Sequence, residues 1–261
     1  MTALDEVFAR CRQERRAALI GYLPAGYPDL EGSVRAVQTL ARHGADIVEV
    51  GVPYTDPLMD GPVVERAAST ALAAGFRLQH VFEVVAAVRE AGAVPVVMTY
   101  WNPVLRYGVD RFATDLAAAG GAGLITPDLI PDEAQEWRAA AQRHDLAPIF
   151  LVAPSSTDDR LQMTTAACRG FVYVASTMGV TGVRASVGDA ALELVGRTRG
   201  VTDLPLCVGL GVSTGEQAGE VAGFADGVIV GSALVRTLAD DPSGGQLAWL
   251  TEELAEGVRR A

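Results

Sequence analysis

Three carboxylates lie close together in the stretch VEVGVPYTDPLMDGP at residues 48–62: Glu49, Asp56 and Asp60. Glu49 interrupts an apolar run, and the aspartates follow in a loop whose backbone three prolines restrict. Because burial raises the pKa of a carboxyl group, a buried Glu49 is predicted to act as an acid or base near neutral pH. The alternative is that Glu49 is a structural residue whose carboxylate is bonded to neighbouring amides. Spacing leaves open whether Asp56 or Asp60 supplies a second acid–base group or only caps a turn or helix.

The basic residues narrow the chemistry further. All 21 of them are arginine, so no lysine can form a Schiff base with a carbonyl substrate or with pyridoxal phosphate. The three histidines, His43, His80 and His144, do not lie beside other ligands at metal-binding spacing, which argues against a metal site. Any reaction that makes or breaks a carbon–carbon bond must therefore proceed without a lysine Schiff base.

Short apolar runs recur along the chain, each followed by turn signals and a helical pattern. Most runs are continuous rather than alternating, which is typical of parallel strands covered on both faces. The predicted strands are AALIGYL (17–23), ADIVEV (45–50), VPVVMTY (94–100), AGLITP (122–127), APIFLVAP (147–154), GFVYVAST (170–177), LPLCVGLG (204–211) and ADGVIVGS (225–232).

Helical patterns lie between these runs. They include residues 30–44, 109–121, 246–260 and 131–145, the last with proline at its start. Eight strands alternating with helices predict an α/β fold, a (β/α)8 TIM barrel occupying residues 1–261 as a single domain. Residues 3–16 predict an extra N-terminal helix, and the long interval after strand two predicts an inserted helix. An open doubly wound sheet is the alternative, but YLPAGYPD after strand one lacks its glycine fingerprint.

Several strand ends carry side chains suited to a flat ring. The active site of a barrel lies at the carboxyl ends of its strands, where Glu49 would point inward between the outward-facing Val48 and Val50. Four residues at such ends could sandwich a ring or could simply belong to the core: Tyr22, Met98, Tyr100 and Tyr173.

Glycine-rich turns follow the last three strands. The segments are STMGVTGVRAS, GLGVSTGEQ and VGSALVR, and the last two lead into predicted helix N-termini. Backbone amides exposed by glycine, together with a helix dipole, favour a phosphate group. The residues thus predict an enzyme that acts on a phosphorylated small molecule by carboxylate catalysis, without lysine, metal or cofactor.

Composition excludes other classes of protein. The chain has 261 residues, a net charge of −11 and no apolar run near the ~20 residues of a membrane helix. An acidic chain is a poor general binder of nucleic acid or acidic membranes. The charged N-terminus is not a secretory signal, and three scattered cysteines fit a reducing cytoplasm.

The motifs resemble those of the tryptophan synthase alpha chain family over essentially the whole chain. VEVGVPYTDPLMDGP is similar to that family's signature, and TYWNP (99–103), GVTG (179–182), GLGVST (209–214) and VGS (230–232) follow in its order and spacing. The resemblance implies cleavage of indole-3-glycerol phosphate to indole and glyceraldehyde 3-phosphate. Tyrosine at position 22, where many members have phenylalanine, and Glu65, where many have glutamine, are departures that remove no catalytic group.

Residue roles follow from this resemblance. It implies that Glu49 is the main acid–base group, that Asp60 holds the indole N–H, and that Tyr173 lies near the reacting centre. The positions implied to bind phosphate are Gly182, Gly211, Gly231 and Ser232, and those implied to line the indole pocket are Tyr22, Met98 and Tyr100.

A partner is implied as well. Family members assemble with a beta chain as an alpha2–beta2 heterotetramer, in which pyridoxal phosphate belongs to the beta chain and indole passes through a tunnel. The resemblance assigns partner or loop contacts to Pro53, Asp56 and Pro57 and to residues 177–192. Two alternatives stay open: another phosphate-binding barrel isomerase or lyase, and a non-catalytic regulatory subunit that senses the ligand.

Overall fold

A computed structural model describes residues 2–176, 184–209 and 211–259 of the chain, with the side chains of residues 184–187 left out. Strands and helices alternate along it. The strands are β1 Ala18–Pro24, β2 Ile47–Gly51, β3 Val94–Met98, β4 Gly123–Ile125, β5 Ala147–Ile149, β6 Leu151–Val152, β7 Val172–Ala175, β8 Leu206–Gly209 and β9 Gly227–Val230. The α-helices are α1 Ala3–Gln13, α2 Leu30–Arg42, α3 Pro62–Ala73, α4 Val81–Glu90, α5 Trp101–Tyr107, α6 Val109–Ala119, α7 Gln135–Arg143, α8 Asp158–Ala167, α9 Arg184–Arg199, α10 Gly215–Ala222, α11 Ser232–Asp240 and α12 Gly245–Gly257.

The strands form one parallel barrel. Their order is β5-β4-β3-β2-β1-β9-β8-β7-β6, and β5 and β6 are two halves of the fifth predicted run, interrupted at Phe150. Because β5 pairs with β4 while β6 pairs with β7, this one segment joins the two ends of the sheet. Phe150 helps to join them, since its carbonyl accepts a hydrogen bond of 3.2 Å from the backbone N–H of Tyr173. The eight predicted strands and the (β/α)8 fold are confirmed.

Side chains alternate between the barrel interior and the helical layer. Ile47 belongs to the interior cluster with Ile20 and Val96, whereas Val48 and Val50 pack into the outer cluster against the helices. This alternation follows from the two-residue period of a strand. It directs the side chain at position 49 inward, as the sequence predicts.

The barrel's lower end, where the strands begin, is closed by α1. Thr2 and Asp5 form a capping box that starts this helix, and Leu4 and Phe8 pack into the interior cluster. The extra N-terminal helix is therefore confirmed, and it seals the end opposite to the carboxyl ends of the strands.

The long interval after β2 holds α3, a 3-10 turn at Leu78–His80 and α4, which confirms the predicted insertion. Taken together, α3 and residues Leu78–Glu90 have the length and hydropathy of a membrane span, but a bend of 107° separates them. In the described part of the chain, no single helix is long and apolar enough to cross a membrane.

Two helical segments differ from the sequence expectation. The helix predicted from Pro131 begins only at Gln135, because residues 130–134 form turns in which Glu133 N–H bonds to Ile130 and Ala134 N–H to Pro131. The short helix α5 was not predicted. Its first N–H groups have no intrahelical partners, and Asp128 accepts from the N–H of Trp101 at 2.9 Å.

Candidate active site

A cavity of about 210 Å³ opens at the carboxyl ends of the strands. Nine residues singled out from the sequence line it, namely Tyr22, Glu49, Asp60, Met98, Tyr100, Tyr173, Gly211, Gly231 and Ser232. They come from strands and loops that are far apart in the chain, and the barrel brings them to one place. Asp56, by contrast, does not line this cavity.

Glu49 is the most unusual group in this cavity. Only 1% of the residue is exposed, and both carboxyl oxygens lack a hydrogen-bond partner within the described residues. Burial raises its pKa from 4.5 to about 8. The reading as a structural glutamate bonded to neighbouring amides is therefore not supported, and a carboxyl group that is protonated at neutral pH can serve as an acid.

The two aspartates of the loop after β2 lie in different surroundings. Asp60 lines the cavity and accepts a hydrogen bond of 3.0 Å from the Tyr100 hydroxyl. Burial raises its pKa, with a further increase from the charge of Glu65, while the bond from Tyr100 opposes the change. Asp56 is exposed and accepts a bond from Thr55. Geometry therefore separates residues that spacing could not.

Glu65 lies on the exposed side of α3. Its charge nevertheless acts on Asp60, because it contributes to the raised pKa of that carboxyl group. An exposed charge is screened by solvent, so this contribution is smaller than that of burial.

Two tyrosines reach over glycines of neighbouring strands. A Cβ atom built on Gly51 would clash with the Tyr22 hydroxyl, and one on Gly209 would lie 2.7 Å from the Tyr173 hydroxyl. Both glycines are thus required for the rings to lie where they do. Burial, followed by nearby groups that include Glu49, raises the pKa of each phenol well above its ordinary value, so both hydroxyls keep their protons and can donate hydrogen bonds.

Another part of the cavity lining suits an anion. Gly231 precedes α11, whose N-terminus has no side-chain cap and begins at Ser232, so its first amides face the cavity end uncapped. Gly211 has a φ of 68°, a conformation that favours glycine, and it also lines the cavity. Gly182 lies outside the described residues, so its predicted role keeps the standing of a prediction.

The N-terminus of α10 differs from expectation. The sequence suggested that both of the last two helix starts would favour phosphate, yet Thr214 caps α10 and the N–H of Gly215 donates to Glu253 at 3.1 Å. These bonds occupy the amides that an anion would need. Of these last two helix starts, as far as the structure describes them, the start of α11 lines the cavity and that of α10 does not.

Some lining residues were missed in the sequence. They are Val52, Met59, Gly61, Val64, Thr99, Pro127, Gly209 and Ile229. Thr99, Pro127 and Gly209 lie at or just past strand ends, so counting forward from each predicted strand would have found them. Met59, Gly61 and Val64 come from the loop and helix after β2, whose path a strand pattern does not give.

Other places in the chain offer less for catalysis. A second cavity, of about 290 Å³, lies at the lower end and is lined by residues such as Phe8, Arg12 and Arg16. Among the described residues, no group of three or more His, Cys, Asp or Glu side chains could hold a metal ion. The candidate site is therefore the cavity that contains Glu49 and Asp60.

Known proteins resemble this chain over nearly its whole length. Residues 8–258 match the sequence model of the family described as "Tryptophan synthase alpha chain". The tryptophan synthase alpha chain of Mycobacteroides abscessus is 62% identical over 258 residues, covering 99% of this chain and 98% of that one. That of Mycobacterium marinum is also 62% identical, covering 98% and 95%.

Solved structures give the same result. A structure of Mycobacterium tuberculosis tryptophan synthase superimposes with a TM-score of 0.93 at 60% identity, covering 98% of both chains. The alpha subunit of tryptophan synthase from Legionella pneumophila superimposes with a TM-score of 0.90 at 30% identity, covering 100% of both chains. On its sequence, its fold and its cavity together, this chain belongs to the tryptophan synthase alpha chain family.

Proposed function

We propose that the cavity cleaves indole-3-glycerol phosphate into indole and glyceraldehyde 3-phosphate. As a member of its family, the chain is a lyase of tryptophan biosynthesis that carries out the alpha reaction. The single observation that carries the proposed mechanism is Glu49, which is buried, lacks a hydrogen-bond partner among the described residues and has a pKa of about 8 at the mouth of the barrel.

Glu49 supplies both proton transfers in this proposal. In its protonated form it gives a proton to C3 of the indole ring, which leaves the ring as an electron-poor indolenine cation. The resulting carboxylate then takes the proton from the hydroxyl on the carbon attached to C3. The bond between that carbon and C3 breaks, its electron pair returns to the ring, and the carbon becomes the aldehyde. Glu49 ends protonated, ready for the next turnover.

Asp60 and Tyr173 complete the reacting region. Asp60 accepts a hydrogen bond from the indole N–H and stabilises the positive charge that develops on the ring. This interaction is strongest in the intermediate. Tyr173 lies near the reacting centre and can donate its hydroxyl proton in a hydrogen bond. Tyr22, Met98 and Tyr100 flank the flat ring.

The phosphate binds to the backbone at the far end of the cavity. Gly211, Gly231 and Ser232 hold it, together with Gly182, and the dipole of α11 favours the anion. Because these contacts are made by amides, the acidic net charge of the chain does not prevent them.

The mechanism needs no cofactor in this chain, since the protonated ring is the electron sink. The chain works with a tryptophan synthase beta chain, which holds pyridoxal phosphate, in an alpha2–beta2 assembly in the cytoplasm. In the loop after β2, Asp56 is exposed, Pro57 is half-buried and Pro53 is buried. This loop and the segment 177–192, of which residues 184–192 belong to α9 rather than to a loop, contact that partner or close over the substrate. The comparisons give no support to a different barrel enzyme or to a regulatory subunit.

A direct assay tests this function. Purified protein is mixed with indole-3-glycerol phosphate, with and without a beta chain, and the released indole and glyceraldehyde 3-phosphate are measured. We expect both products in equal amounts, and faster turnover with the partner. Absence of indole in both mixtures would refute the lyase function.

A further inference from the structure

The Tyr100 hydroxyl makes three hydrogen bonds at one atom. It donates to Oδ1 of Asp60 at 3.0 Å, and it accepts from the backbone N–H groups of Leu58 at 3.0 Å and Met59 at 2.9 Å. A phenol oxygen has one proton to donate and two lone pairs that accept. Every hydrogen-bonding position of this hydroxyl is therefore used, and all three bonds go to the loop after β2.

Tyr100 itself is fixed to the barrel. It lies two residues after the end of β3 and is only 6% exposed, and the ring of Tyr54, in the loop after β2, packs against it with ring centroids 5.5 Å apart. The carbonyl of Tyr100 accepts a bond from the Thr99 hydroxyl at 3.1 Å. The phenol is thus a buried group close to the end of β3, to which the neighbouring loop is hydrogen-bonded.

The loop that it holds reaches outward. Leu58 is 76% exposed and Met59 54% exposed, although both donate their N–H groups to Tyr100. Asp60, the next residue along, faces inward and lines the cavity. The Tyr100 hydroxyl therefore links the Asp60 carboxylate to the backbone of Leu58 and Met59, two exposed residues of the same loop.

We propose that Tyr100 is a positioning residue that couples the engagement of Asp60 by the indole N–H to the backbone of Leu58 and Met59. This proposal rests on the role of Asp60 proposed above. A bound N–H fixes the orientation of the carboxylate, and the carboxylate in turn fixes the hydroxyl that the two amides share. Hydrogen bonds in such a chain polarise one another, so ordering at one end strengthens the other.

Coupling of this kind acts in both directions. When another molecule contacts the exposed Leu58 or Met59, it restricts the motion of their backbone amides. The Tyr100 hydroxyl, which is bonded to both amides, then restricts the orientation of the Asp60 carboxylate. The assignment of Tyr100 changes accordingly: it is more than a wall of the indole pocket, because its hydroxyl orients a group that touches the substrate.

Amide hydrogen exchange of the full chain, followed residue by residue by NMR, tests the coupling. The probe is indole-3-propanol phosphate, which has the ring and the phosphate but lacks the hydroxyl needed for cleavage. In the wild-type chain we expect the probe to slow exchange at Leu58 and Met59. In Tyr100→Phe we expect both amides to exchange about fivefold or more faster without the probe, and the probe to bind without slowing them.

Two variants serve as matched controls. Tyr22→Phe removes another hydroxyl from the same cavity, one that makes no hydrogen bond to the described residues, so exchange at Leu58 and Met59 should stay as in the wild type. Tyr107→Phe removes a hydroxyl that donates to Asp115, away from the cavity, and it serves as the control for activity.

The kinetic parameters separate positioning from mere structure. Because Asp60 acts mainly on the charged intermediate, Tyr100→Phe should lower kcat about tenfold or more and change KM little, whereas Tyr107→Phe should leave both unchanged. Unchanged exchange at the two amides in Tyr100→Phe, or slowing by the probe equal to that in the wild type, would overturn the proposal.

Asp60→Asn provides a second variant if Tyr100→Phe does not fold. It keeps the shape and an acceptor oxygen but removes the charge, so the probe should slow the two amides less than in the wild type. Slowing equal to the wild type contradicts the coupling. A wild-type chain that releases no indole would contradict the proposed function instead, and the exchange comparison would still decide whether Tyr100 holds the loop.

Discussion

At the scale of single residues, the site depends on one carboxyl group held in an unfavourable place. Glu49 occupies an inward position on β2, in register with Tyr22 of β1 and Val96 of β3, and no partner among the described residues compensates for its burial. A buried carboxyl without a partner takes up a proton rather than keep its charge. The same environment that makes Glu49 an acid therefore makes it a cost to stability.

That cost depends on pH with a defined sign. The folded-state pKa of Glu49 is about 8, above its ordinary value of 4.5, so between these values the folded chain holds a proton that the unfolded chain has released. The free energy of unfolding therefore falls as pH rises through this interval and levels off above it. Glutamine at position 49 carries no such penalty.

We predict that Glu49→Gln is more stable than the wild type, by a margin that grows by about 1.4 kcal/mol per pH unit between roughly pH 5 and pH 8. Urea denaturation of both chains at pH 5, 6.5 and 8 measures this margin. Equal stability differences at all three pH values would show that the pKa of Glu49 is not raised.

At the scale of elements, the start of the barrel is held by a buried ion pair. Asp46 precedes β2, and its carboxylate accepts bonds from the Arg16 guanidinium at 2.6 and 2.8 Å and from Leu19 N–H at 3.0 Å, with Arg10 at 3.1 Å. Burial acts to raise the pKa of Asp46, but these donors outweigh it and hold the pKa below its ordinary value. The pair ties the segment after α1 to β1 and β2.

Removing the charge should damage stability but not chemistry. We predict that Asp46→Asn lowers the free energy of unfolding by about 3 kcal/mol, because Arg16 is then buried without a counter-charge, while kcat/KM at low temperature stays within about twofold. Because the pKa of Asp46 is depressed, the difference from the wild type should be full above the unfolded pKa and shrink as pH falls through the folded one.

An exposed ion pair gives the control for this prediction. Glu31 and Arg35 lie one turn apart on α2, with side chains 87% and 61% exposed, and Glu31→Gln should cost no more than about 0.5 kcal/mol. Thermal and urea unfolding of the two variants compare them directly. If Asp46→Asn folds but loses activity, the prediction that the lower end of the barrel affects stability and not the chemistry at its mouth would be wrong.

At the scale of the whole molecule, continuous apolar runs and their spacing were enough to predict the barrel, its N-terminal helix and the insertion after β2. The break of the fifth strand at Phe150 was not predictable, because it arises from pairing with β4 on one side and β7 on the other. The hydrogen bond from the N–H of Gly215, at the start of α10, to Glu253 was likewise not predictable, because these two residues are far apart in the chain.

The candidate site, too, was only partly predictable from the sequence. Strand position alone placed Glu49 at the mouth, whereas the choice of Asp60 over Asp56 came from the family resemblance and stays a prediction; of the two, Asp60 lines the cavity. The three bonds at Tyr100 could not be foreseen, since they depend on how the proline-rich loop folds back over the barrel. That residues 1–261 form a single domain stays a proposal, for which one cooperative unfolding transition is the expected sign.

Turnover by Glu49→Gln tests the central claim most directly. Indole release from indole-3-glycerol phosphate and binding of indole-3-propanol phosphate are measured for the wild type, for Glu49→Gln and for Glu65→Gln, which alters an exposed carboxylate nearby. We predict that kcat of Glu49→Gln falls about 1,000-fold while binding is largely kept, and that Glu65→Gln stays within about twofold. Turnover by Glu49→Gln close to that of the wild type would contradict the account.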